Sequence, residues 1–94
     1  MHVPKPEITF SLFVLSLSAS AEIHLGQLAV PGTDRPAPVN LVEASHLIEV
    51  IAMLKEKTMG NLEESEERLI EAVLYDLRMR YVEAAGGSKQ AAQP

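Results

Sequence analysis

The sequence predicts an all-α fold: a long N-terminal helix, a proline-rich connector, then an antiparallel helical hairpin. This three-helix arrangement is expected to be completed by oligomerisation. Three observations predict it. Apolar residues recur at helical spacing in three stretches. Proline and glycine clusters separate those stretches. Asn40 stands three residues before Glu43, and Asn61 three before Glu64, the spacing of a helix-opening capping box. A chain of 94 residues is one small domain, and such a domain buries only about 60% of the surface its unfolded form exposes.

Residues 1–7 read as a flexible leader, because Pro4 and Pro6 remove amide donors and resist helix. A single helical domain is expected over 8–85. Its first stretch, Ile8 to Val30, is apolar on two sides of a helical wheel. Phe10, Val14, Leu17, Ala21, Leu25 and Leu28 form one stripe. Leu12, Leu15, Ala19, Ile23, Gly26 and Val30 form a second, nearly opposite. Ser11, Ser18 and Glu22 lie between them on one side, with Thr9, Ser16, Ser20 and Gln27 on the other.

Pro31 to Pro38 is the connector. The second helix begins at the Asn40 cap and buries Leu41, Ala44, Leu47, Ile48, Ile51 and Leu54. It ends near Thr58, with Gly60 as a left-handed stop and Asn61 as the next cap. The third helix runs from Leu62 to about Ala85. Glutamates crowd its start and Arg78 and Arg80 its far end, both in favour with the macrodipole. Glu64/Arg68 and Asp76/Arg80 are spaced as i,i+4 pairs. Leu69, Ile70, Val73, Leu74, Leu77 and Tyr81 share its inner face, and Tyr75, Met79 and Val82 form a minor outer strip. Residues 86–94 hold no apolar side chain larger than alanine and read as a disordered tail.

The two later helices can cover one stripe of the first, so its second stripe needs a neighbour. A membrane span is not expected: the uncharged run from Ile8 to Ala21 is shorter than the roughly 20 residues required. Ala19-Ser20-Ala21 fits a signal-peptidase site, making export with cleavage after Ala21 an alternative reading. Against it, Leu17, Ala21, Leu25 and Leu28 continue in phase across the cut. The third candidate is another protein chain. Burying about 600 Å² of apolar surface on the second stripe contributes on the order of 15 kcal/mol before entropy losses. Leu12, Leu15, Ala19, Ile23 and Gly26 are therefore the expected interface, with Tyr75, Met79 and Val82 as an outer rim. A homodimer or higher homo-oligomer is the expected state, and a helical protein partner the variant of it.

Composition narrows the chemistry. The chain has no cysteine, which excludes disulfides and thiolate metal sites. It has no tryptophan and a net charge of −5, so nucleic acid is not an expected partner. His46 with Glu43 and Glu49 on the same helical face could form a metal site, but these residues occupy the polar side of their helix. The turn from Lys55 to Asn61 could hold an anion, but the favoured reading is a helix C-terminus whose lysines satisfy the last carbonyls, with Gly60 as the stop and Asn61 as the next cap. No catalytic motif is present, and neither an enzyme activity nor a cofactor is expected. A small metal- or anion-binding enzyme or sensor at those residues remains the alternative class. Low charge balance and absence of cysteine suit a cytoplasmic protein.

The run Leu54-Lys55-Glu56-Lys57-Thr58-Met59-Gly60-Asn61-Leu62, followed by Glu66 and Leu74-Tyr75-Asp76-Leu77-Arg78, resembles the bacterial domain of unknown function 1844. Leu25-Gly26, Ala44 and Ile48-Glu49 fit as well. Glu49 stands where that family is expected to carry aspartate, and Glu63 where it is expected to carry threonine. The resemblance implies a small, mostly helical bacterial protein without assigned activity, and it supplies no catalytic residues. It places the first apolar stretch inside the domain, which weakens the export reading.

Overall fold

The computed structural model describes residues 8–35 and 38–92, with side chains described as far as Gly86. The leader at 1–7 therefore lies outside the described residues, as do 93–94 of the tail. Three helices follow in order: α1 (Phe10–His24), α2 (Leu41–Lys57) and α3 (Glu64–Ala92). No β-strand forms among the described residues.

Helix α1 opens at Thr9, whose hydroxyl oxygen accepts from the Leu12 amide at 3.0 Å. The sequence reading had placed Thr9 only as a divider between stripes; it is the N-cap. The helix closes earlier than the apolar pattern predicts. The Gln27 amide donates to Glu22 O at 2.9 Å and the Gly26 amide to Ile23 O at 3.0 Å. Gly26 sits at φ 76°. This pair of bonds around a left-handed glycine is a Schellman stop. α1 is thus 15 residues long, the shortest of the three against 17 and 29. Gly26 ends the helix rather than lining its outer face, and Leu28 and Val30 lie beyond it.

The connector brings the chain back to the end of α1. The Asn40 amide donates to His24 O at 2.7 Å, so α2 starts where α1 stops. Asn40 then caps α2 as expected, its Oδ1 accepting from the Glu43 amide at 3.1 Å. At the other end the Thr58 amide and hydroxyl both donate to Leu54 O, at 3.0 and 2.7 Å. Gly60 takes φ 85° and turns the chain.

The start of α3 differs from the capping box expected at Asn61. The Asn61 amide donates to Thr58 O at 2.8 Å, so Asn61 belongs to the turn. The reciprocal bond forms two residues later, from the Glu63 amide to Glu66 Oε1 at 2.9 Å. Glu63 directly precedes the first helical residue and its carbonyl accepts from the Glu67 amide at 2.9 Å, so the cap position falls to Glu63, with Glu66 three residues on. The far end also differs from the pattern: helix continues to Ala92, past the Ala85 limit. Extending a formed helix costs far less than nucleating one.

The core takes residues from every helix: Val14, Ala21 and Leu25; Ala44, Ile48 and Ile51; Ile70, Leu74 and Leu77. Their spacing of three and four puts each trio on one face. Each helix touches both others. α2 and α3 form the antiparallel hairpin. Lys55 meets Glu71 beside the turn at 3.9 Å, and Tyr81 lies by Leu41 and Val42 at the other end. Arg80, held by Asp76 at 2.8 Å, also hydrogen-bonds Gln27 just after α1.

Candidate functional site

Helix α1 is wedged into the hairpin by one side only. Val14, Ser18, Ala21 and Leu25 are buried there. Ser18 belongs to this inner face, although the sequence reading set it between the stripes. At 100° per residue, Leu12, Ser16, Ala19 and Ile23 point the opposite way, with Leu15 on the flank beside them. Leu12 remains 53% exposed and Leu15 46% exposed. Ala19, Ile23 and the stop residue Gly26 are half-buried. Phe13 adds an exposed ring on the flank, and Ile8 stands exposed just before the cap. Leu28, assigned to the inner stripe from the wheel, is exposed because the helix ends before it. No charged residue occurs from Ile8 to Ala21, so the outward face of α1 is apolar and hydroxyl-bearing throughout.

On α3, Tyr75, Met79 and Val82 are exposed and point away from the inner face formed by Ile70, Leu74 and Leu77. Val39, Val42 and Met59 are exposed as well, around the two ends of α2. Nothing in the spacing of residues marks these last three, because two lie in turns where periodicity carries no information.

The polar residues singled out by sequence fall into two surface hollows. One, of about 370 Å³, is lined by Leu41, Val42, Ser45, His46, Glu49 and Tyr81. It brings His46 and Glu49 together but not Glu43, whose amide is engaged by the Asn40 cap. Among the described residues, no group of three or more His, Asp and Glu side chains is placed to hold a metal ion. The other hollow, of about 240 Å³, lies under the α2–α3 turn beside Lys55, Met59, Gly60 and Leu62. Glu67 and Glu71 line it too. With two carboxylates against one lysine, the hollow repels an anion. The anion site imagined at the Lys55–Asn61 turn thus has its lysine already facing Glu71.

Two further observations bear on the chain's surroundings. Ala21 and Val14 are fully buried, so cleavage after Ala21 would strip the core of both. Among the described residues, no helix is long and apolar enough to cross a membrane.

Comparison with curated proteins and with solved structures finds no match. A family match does emerge, over residues 7–83. That span takes in α1, α2, both turns and α3 as far as Glu83, and so every buried side chain from Val14 to Leu77. The matched unit and the three-helix core are the same object, and the chain belongs to the family described as domain of unknown function (DUF1844).

Proposed function

We propose that this protein is a non-enzymatic cytoplasmic module that self-associates through the outward face of α1. The observation that carries the reading is the exposure of Leu12 and Leu15 on a helix face without a single charge. Charge then limits how two copies can approach. The chain carries a net charge of −5, and exposed carboxylates line the outer sides of α2 (Glu43, Glu49, Glu56) and α3 (Glu64, Glu67, Glu71). Two copies approaching by those sides bring like charges together. The outward face of α1 is the approach that does not. An anionic membrane surface is disfavoured by the same negative charge.

Light scattering on the purified protein tests this. The wild type is expected at a dimeric mass. Leu15→Glu is expected to retain its helical circular dichroism, because Leu15 lies outside the core, and to run as a monomer. A monomeric wild type would overturn the proposal.

A further inference from the structure

We infer that the seam between α2 and α3, on the flank turned away from α1, docks a basic amphipathic helix of another protein. This docking surface is separate from the outward face of α1 and does not rest on the self-association proposed above.

Geometry comes first. Three surface hollows, of about 370, 300 and 240 Å³, are lined by residues of α2, α3 and the turn between them, and none is lined by a residue of α1. They follow one another along the seam. On α2 the walls include Ser45, Glu49, Ala52 and Glu56, which recur at intervals of four and three and so share a face. On α3 they are Glu67, Glu71, Leu74, Arg78 and Tyr81, at the same intervals. The middle hollow and the one under the turn share Lys55 and Met59, so they run into each other. Helix α1 is held from the other flank, where Arg80 reaches Gln27. The groove follows α2, which has 17 residues and is about 26 Å long. The hairpin thus offers a second helix-length groove beside the one that seats the 15 residues of α1.

The lining decides what fits. The floor is apolar: Leu74 is buried, and Ala52, Leu62 and Tyr81 are half-buried. Val42 and Met59 stand exposed at its two ends. The rims are acidic. Glu49, Glu56, Glu67 and Glu71 face the hollows against Lys55 and Arg78, four carboxylates to two strong bases. Lys55 already lies 3.9 Å from Glu71. This surplus, on a chain of net charge −5, attracts a basic segment. It repels an acidic one, and equally a second copy presenting the same rims. An apolar floor of helical length between charged rims receives a helix by its apolar face. The occupant therefore carries apolar residues along one face and lysine or arginine on both sides of it.

The probe is a synthetic peptide of about 18 residues built only of leucine and lysine at helical spacing. A leucine–glutamate peptide of the same pattern is the control. Each is titrated into the isotope-labelled full chain and followed by amide NMR. The lysine peptide should shift the amides of Ser45, Ala52, Glu71 and Arg78, and the glutamate peptide should not bind. The double variant Glu67→Gln/Glu71→Gln changes two exposed side chains outside the core. It should keep its circular dichroism and weaken the lysine peptide by roughly tenfold in Kd, as expected for two exposed ion pairs. Binding should also weaken as salt rises. Four outcomes would each overturn the inference: no binding of the lysine peptide, equal binding of the glutamate peptide, shifts confined to the outward face of α1 or spread evenly over the acidic surface, or undiminished binding to the double variant. A monomeric wild type that binds the lysine peptide along the seam would end self-association and leave the seam standing.

Discussion

Single residues in this chain matter for different physical reasons. Gly60 matters for its backbone: it holds φ 85° and nothing lies within 4 Å of an added Cβ. Gly60→Ala therefore meets no clash, and its cost is the left-handed conformation alone, about 1–2 kcal/mol. Leu77 matters for packing. It is fully buried between the helices, and Leu77→Ala is expected to cost about 2–5 kcal/mol through lost contacts and a cavity. Urea denaturation of the two variants should rank them in that order. Asn40 shows what was readable at this scale. Its cap is a local matter of one side chain and an amide three residues on, so spacing alone locates it. Asn61 shows the limit of the same reasoning. The spacing pointed to Asn61, and the geometry of the turn gave the start of α3 to Glu63 and Glu66.

At the scale of elements, periodicity located all three helices but misjudged where two of them end. Apolar residues continue past His24 into Leu25, Leu28 and Val30, so the pattern hides the stop. The signal was present in Gly26, which the wheel treated as a small residue on a face and the backbone uses as a left-handed terminus. At α3 the opposite occurred: apolar anchors fade after Ala84, yet the helix runs on to Ala92. Gly86 lies in that extension with open space around its Cα. Gly86→Ala should raise helix stability there by about 0.5–1 kcal/mol, since alanine loses less backbone freedom. Slower amide exchange in the last turns of α3, with an unchanged core, is the expected readout. The exposed Glu64–Arg68 pair on the same helix is a weaker device, both side chains being 77% exposed. Glu64→Gln should move the melting midpoint by no more than a degree or two.

At the scale of the whole molecule, the self-association proposed above sets the uncharged face of α1 against the acidic remainder. The proposed contact would hold no like charges, whereas the two bodies it would join each carry −5. Salt should therefore tighten self-association, by screening repulsion between the bodies. Sedimentation at low and high ionic strength is expected to show the monomer fraction falling as salt rises. A dimer held mainly by surface ion pairs would behave oppositely.

By itself the sequence determined the helical class, the three-stretch organisation and the inner faces of α2 and α3, because helix period and side-chain polarity are local properties that a wheel represents faithfully. It also located the outward stripe of α1 through Leu12, Leu15, Ala19 and Ile23. Only the tertiary structure decided which of the two apolar stripes the hairpin covers, for that depends on how three helices divide a limited core. Packing buries Val14, Ser18, Ala21 and Leu25 together. Leu12 and Leu15 are left outside for the same reason: two helices meeting one side of α1 cannot also reach around to its far side.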